Sequence, residues 1–225
     1  MKSALLDAFP RADGKAMRQT ALMTFLLVLA AHAFCFLNLT FSGASVMFNA
    51  AKGADAQIAS GVYLQPFYWR VRGAVSVPIL VGLLSAAALS LTGALLSALL
   101  GIKRLPLCTM LAGALALSPA VLVAFAGSVH TADALFLAML LAACAAALCL
   151  RIRVGFMPGA LLLAAAQALD PAAFAFFLGV VFIALIQALS DIDESGRLCA
   201  LRALGALLCG LLGSAVYAGG YILLT

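Results

Sequence analysis

Charged residues are scarce in this chain. Asp, Glu, Lys and Arg make up 9% of its 225 residues, whereas a soluble domain has about a quarter. Apolar residues make up 66% and occur in long unbroken runs, which excludes an ordinary soluble domain. Only helices and closed barrels satisfy their backbone polar groups in hydrocarbon, and unbroken runs favour helices over barrel strands. The sequence therefore predicts an all-α polytopic transmembrane helical bundle.

Motifs for metal binding or redox chemistry are also lacking. The six cysteines lie within or beside apolar segments without a CxxC spacing, so we interpret them as packing residues. His32 is alone in its segment, which favours packing or hydrogen bonding over metal ligation. The carboxylates are too sparse for a cation site, so neither a metal nor another cofactor is predicted. The net charge of +5 follows from membrane topology, so no nucleic-acid partner is predicted.

Seven apolar segments approach the roughly 20 residues that a helix needs to cross the hydrocarbon. They are Thr20–Phe41, Ala74–Ile102, Leu105–Gly127, Ala134–Leu150, Gly155–Leu169, Ala172–Leu189 and Cys199–Leu224. The fifth of them is short for a span and precedes an Asp-Pro pair, so it can also be a broken or shallow helix. We expect six or seven spans in one membrane domain, residues 1–225.

Basic residues fall mostly on one side of these segments. Ten of the thirteen Lys and Arg residues do so, including those within residues 1–19. The other three are Lys52, Arg70 and Arg72. The positive-inside rule therefore places residues 1–19 in the cytoplasm and, with seven spans, the C-terminus outside. If Gly155–Leu169 does not cross the membrane, the predicted orientation of all later segments is reversed.

Three isolated carboxylates, Asp55, Asp133 and Asp170, fall in different loops of the predicted non-cytoplasmic face, where they can converge on one site. Asp133 follows His130 by three residues, on one helix face. Asp133 is then either a helix cap or half of a carboxylate–imidazole pair in which His130 carries a proton or binds an acceptor. Asp170 before Pro171 has the same two interpretations, helix cap or site residue.

The first non-cytoplasmic loop, residues 42–73, is the chemically richest segment. Its stretch Ile58–Arg72 predicts an amphipathic helix lying on the membrane, with aromatic rings and arginines at headgroup level. This helix either anchors the loop, or it uses Arg70 and Arg72 to bind the phosphate of a lipid-linked substrate. The further polar candidates for substrate contact in this loop are Lys52, Gln65 and Tyr68.

Several short motifs in and around this loop occur in a recognisable order. They are Phe41-Ser42-Gly43-Ala44-Ser45-Val46-Met47, Gly61-Val62-Tyr63-Leu64-Gln65-Pro66-Phe67-Tyr68, Arg72-Gly73, and Val81-Gly82-Leu83-Leu84-Ser85 after Pro78. The sequence over residues 38–135 resembles the bacterial and phage GtrII-type glucosyltransferase family. Ser128-Val129-His130-Thr131-Ala132-Asp133 falls where that family has a loop of the form His-Glu-Ala-Asp.

The resemblance implies a GT-C-like enzyme of the bacterial inner membrane. Such an enzyme transfers a hexose from a polyprenyl-phosphate donor to a glycan outside the cytoplasm, typically a lipopolysaccharide O-antigen. A carboxylate must accept the proton of the acceptor hydroxyl or orient that hydroxyl, and cations must stabilise the departing phosphate. The residues of these types on the expected face are Asp55, Asp133 and His130 for catalysis, with Arg70, Arg72, Gln65, Tyr68, Lys52 and Asp170 for substrate binding.

The chain also departs from the family pattern. Ala44 stands where the family has an acidic residue, Val62 and Thr131 replace an expected Arg and Glu, and the chain is short for a complete member. Either Asp55 or Asp133 replaces the missing carboxylate, or the chain is an inactive relative or a fragment. The alternatives are a small transporter or lipid flippase, and a non-catalytic subunit that joins a membrane protein partner or a second copy. Spans nearly free of charge count against an ion relay.

Overall fold

The computed structural model describes residues 13–38, 53–73, 77–127, 129–152, 155–190 and 196–224. All regular structure in these ranges is helical, which confirms the all-α prediction. The helices are α1 (Gly14–Leu37), α2 (Gly53–Ala59), α3 (Gln65–Val71), α4 (Pro78–Leu99), α5 (Leu105–Ala116), α6 (Pro119–Gly127), α7 (Ala132–Arg151), α8 (Phe156–Leu169), α9 (Ala172–Ser190) and α10 (Gly196–Leu224), with a 3-10 turn at Val129–Thr131. Within the described ranges, six segments are long and apolar enough to span a membrane, with α5 and α6 together forming one of them. The chain is a polytopic membrane protein.

The two ends of the bundle differ in the segments that they hold. At one end Arg151 Nη2 donates to the Leu99 carbonyl over 2.6 Å, and Gln187 Nε2 donates to the Leu100 carbonyl over 2.9 Å. We call this the turn end, because the α4–α5 and α7–α8 turns lie there. The opposite end, which holds residues 53–73, is called the loop end.

Helix α8 joins these two ends although it is only 14 residues long. At about 1.5 Å per residue it is shorter than the roughly 30 Å of hydrocarbon. It packs along α7 and α10, where Gly159 and Gly213 let the backbones approach closely. An added Cβ would lie 3.1 Å from the Ala145 carbonyl oxygen at Gly159, and 3.0 Å from the Ala160 carbonyl oxygen at Gly213. Small residues at these crossings explain how a short helix fits among longer ones.

The segment Leu105–Gly127, expected as one continuous helix, is interrupted between α5 and α6. Pro119 has no N–H and its ring collides with the carbonyl of the residue four positions earlier, so the helix must break before it. His32 Nε2 donates to the Ala116 carbonyl over 3.0 Å, and thereby satisfies a backbone group that the break exposes. His32 is thus a hydrogen-bonding residue of the core, as the sequence predicted.

Helices α1 and α4 pack closely through an aromatic cluster. The Phe36 ring lies over Gly82 of α4, and its centroid is 5.0 Å from that of Phe125, edge to face. His32 and Phe136 complete the cluster around Phe125, with centroids 4.5 and 5.1 Å away. The cluster fills the loop-end half of the bundle and supports the start of α7, where the candidate site lies.

Candidate functional site

Residues 53–73, here called the docked segment, fold as two short helices rather than the single amphipathic helix expected over Ile58–Arg72. Gly61 has a φ of +88° and ends the first helix in a tight turn, because this backbone conformation favours glycine. Pro66 lies in the first turn of the second helix, α3, which buries Gln65 and Trp69 and leaves Phe67 65% exposed. The docked segment therefore turns one face to the protein and leaves an apolar side chain outward.

Three tyrosines attach the docked segment to α10. Tyr217 Oη donates to the Gly61 carbonyl over 3.1 Å, and Tyr63 Oη donates to the Tyr217 carbonyl over 3.3 Å. Their rings stack with centroids 5.8 Å apart. Tyr221 Oη donates to the Ala59 carbonyl over 3.1 Å. Burial, and then the neighbouring Tyr217, raise the pKa of Tyr63, so its hydroxyl remains a donor.

A second attachment joins the docked segment to the end of α8. The backbone N–H of Leu64 donates to the Ala168 carbonyl over 3.0 Å, and Gln65 Nε2 donates to the Leu169 carbonyl over 2.9 Å. These carbonyls belong to the last turn of a helix, where no intrahelical donor remains. Gln65, predicted as a substrate contact, is buried in this attachment.

The third attachment is an ion pair with α7. Arg72 Nη1 lies 2.5 Å from Asp133 Oδ2, and the two side chains are 4% and 0% exposed. Tyr68 Oη donates to the same carboxylate oxygen over 2.8 Å, and Arg72 Nη1 also donates to the His130 carbonyl over 3.2 Å. Asp133 Oδ1 accepts from the backbone N–H of Ala134 over 3.0 Å. We call Tyr68, Arg72, His130 and Asp133 the Arg72 cluster.

The electrostatics of the Arg72 cluster favour one cation and one anion. Burial, and then the neighbouring carboxylate, raise the pKa of Tyr68, so its phenol stays neutral and donates. Burial, and then the Arg72 guanidinium, lower the pKa of His130, against an opposing effect of Asp133. The imidazole is therefore neutral at pH 7, and the cluster carries no net charge.

Acidification should loosen the docked segment through His130. A lowered pKa means that the folded state binds the proton less readily than the unfolded state, so stability is lost as the pH falls below 6.5. Trp69 is the only tryptophan and is 2% exposed, so a red shift of its emission between pH 8 and pH 5 reports undocking. His130→Gln should flatten this profile; an unchanged shift in that variant would exclude His130 as its cause.

The other residues predicted for the site have the following positions in the structure. Asp170 Oδ1 accepts from the Ala172 backbone N–H over 2.9 Å, so Asp170 caps α9. Burial raises the pKa of Asp170, and the hydrogen bond from Ala172 partly opposes that rise. The N-cap position of α7 is Thr131, so Asp133 lies in the first turn of α7, where its Oδ1 accepts from the Ala134 backbone N–H and its Oδ2 faces Arg72. Asp55 and Arg70 are exposed on α2 and α3 and do not join the Arg72 cluster. Two further positions, Lys52 and Ala44, lie outside the described residues.

Sequence reasoning missed the contribution of α10. Tyr217 and Tyr221 are four residues apart on a helix and thus share a face, close to Gly219 and Gly220. Two tyrosines with that spacing near the end of a span were the available signal. They indicate an interfacial position, although they do not reveal which loop they meet.

Comparison with known proteins adds no assignment, since no family model matches the chain and neither a curated protein nor a solved structure is significantly similar. The likeness to GtrII-type glucosyltransferases therefore stays a prediction from sequence motifs.

Proposed function

We propose that this chain is a GT-C-like glycosyltransferase of the bacterial inner membrane, with residues 1–19 in the cytoplasm and the loop end outside. The proposed reaction moves a hexose from a polyprenyl-phosphate donor to a cell-surface glycan such as O-antigen. The observation that carries the proposal is the meeting of Arg72 and Asp133, 61 residues apart, in a cluster with a tyrosine and a histidine. A guanidinium and a carboxylate at one point are the two groups that phosphate departure and hydroxyl activation require.

In this proposal the ion pair is the resting arrangement. A donor phosphate competes with Asp133 for the Arg72 guanidinium, and the freed carboxylate accepts the proton of the acceptor hydroxyl. The hydroxyl oxygen forms a bond to the anomeric carbon while the bond from that carbon to the phosphate oxygen breaks. Throughout the reaction, the Tyr68 hydroxyl donates a hydrogen bond either to the Asp133 carboxylate or to the donor phosphate. Because Asp133 is fully buried at rest, substrate binding has to displace α3 from α7.

A second candidate function is a non-catalytic subunit of a membrane complex. It is favoured by the saturation of Asp133, whose two carboxylate oxygens accept from Arg72, Tyr68 and the Ala134 backbone. Ala44, standing where the resemblance predicts an acidic residue, favours it too. In that case the ion pair fastens the docked segment and takes no part in chemistry.

A transfer assay separates the two functions. Purified protein in nanodiscs, given polyprenyl-phosphoglucose and an O-antigen acceptor, should form glucosylated product, and Asp133→Asn should lower the initial rate by about 10²–10⁴-fold. Asp13→Asn is the matched control, the same chemical change at the first residue before α1, and should leave the rate unchanged. Product from Ala44→Asp and none from the wild type would identify a degenerate enzyme. No product from any of these proteins would favour the subunit.

A further inference from the structure

A groove of about 610 Å³ opens at the turn end, far from the Arg72 cluster. It lies between the α4–α5 turn and the last turns of α9. Its principal lining side chains are Lys103, Arg104, Leu107, Ile183, Ile186 and Gln187. The proposed function does not use it.

The backbone holds the walls of this groove in place. Gly101 has a φ of +63°, which lets the chain reverse directly after α4. Gln187 Nε2 donates to the Leu100 carbonyl over 2.9 Å and so fastens α9 to that turn. The groove is therefore a fixed feature of the turn, since both of its walls are attached to the same backbone.

The lining of the groove consists of a basic part and an apolar part. Lys103 and Arg104 are exposed, and no acidic residue is found among the described residues that line the groove. Leu107, Ile183 and Ile186 are 45%, 54% and 48% exposed, and they form the apolar wall beside these cations. The position is at the membrane surface, because one candidate span ends at Leu99 and the next begins at Leu105.

We propose that this groove binds an anionic phospholipid. Lys103 and Arg104 hold the phosphate of its headgroup, and an acyl chain lies along Leu107, Ile183 and Ile186. Basic pockets between membrane helices at the surface are suited to such headgroups. A free phosphate ion would leave the apolar wall unused, and an acidic peptide would have to bury that wall against polar backbone. A lipid satisfies both parts of the lining at once.

Native mass spectrometry of the full chain in detergent measures this binding. We expect phosphatidylglycerol to be retained over phosphatidylcholine of the same acyl chains. Lys103→Gln with Arg104→Gln should weaken phosphatidylglycerol binding by about 25-fold, roughly fivefold for each basic residue. The matched control is Lys15→Gln with Arg18→Gln, which removes the same charge from two exposed residues of α1 and should leave binding unchanged.

A variant of the apolar wall and a competing free anion test the assignment further. Ile183→Gln with Ile186→Gln should weaken long-chain phosphatidylglycerol but leave the short-chain dihexanoyl form unaffected, because only the long chain reaches the apolar wall. Displacement by millimolar inorganic phosphate, equal retention of phosphatidylcholine, or equal losses in the α1 control would each overturn the proposal.

Discussion

Arg72→Met and Asp133→Leu should each destabilise the protein by about 3–5 kcal/mol, while the double variant should recover most of that loss. Each single change leaves one buried charge without its counter-ion, since the two side chains are 4% and 0% exposed. The double change removes both charges and replaces them with apolar side chains. Chemical unfolding in detergent, followed by the emission of Trp69 on the neighbouring turn of α3, measures all three variants.

Arg70→Met is the control for this experiment. Arg70 lies on the same short helix but is exposed, so its replacement should change the stability by no more than about 0.5 kcal/mol. An Arg72→Met variant as stable as this control would show that the ion pair does not hold the docked segment. The double variant also bears on function: a stable protein without transfer activity would place the pair in catalysis, and a stable, active one would make it purely structural.

Gly82→Ala should destabilise the helical core by about 2–3 kcal/mol through overpacking. A Cβ at this position would lie 2.5 Å from the Cγ and Cδ1 atoms of the Phe36 ring. That ring cannot easily withdraw, because Phe125 packs against it with centroids 5.0 Å apart. Thermal unfolding in detergent should therefore show a clearly lower midpoint for the variant.

Two companion variants test the steric cause. Gly113→Ala adds the same methyl group to α5 where nothing lies within 4 Å, and it should be neutral or stabilise by about 0.5–1 kcal/mol. Phe36→Leu combined with Gly82→Ala should be more stable than the sum of the two single losses, because the smaller side chain makes room. Strict additivity of the two losses would contradict the proposed collision.

The helices could largely be predicted because hydrophobicity over 20 residues is a strong signal. The segment Ala172–Leu189 was expected and α9 covers Ala172–Ser190. The first helix begins at Gly14 rather than Thr20, because Asp13 accepts a hydrogen bond from the Lys15 backbone N–H and caps a turn that extends beyond the apolar run. Hydropathy locates apolar surface, and it does not register such a polar first turn.

The sequence predicted which types of residue form the candidate site, but it did not predict which of these residues contact one another. Loop position placed Arg72 and Asp133 on one face, but which arginine meets which carboxylate depends on where α3 lies on α7 and α8. Tyr68 and Arg72 are four residues apart and so reach the same side, whereas Arg70 points elsewhere. Asp170 caps the helix that directly follows it, which is a local interaction that its position before Pro171 indicates. Tertiary contacts between loops leave no periodic pattern in the sequence.

The three attachments of residues 53–73 also constrain how the protein is made. Translation completes this segment before α7, α8 and α10, the helices to which it attaches, have been synthesised. It emerges without partners, and the tyrosines that complete its attachment leave the ribosome among the last described residues. Its burial is consequently reached only after these later helices have entered the bilayer and assembled.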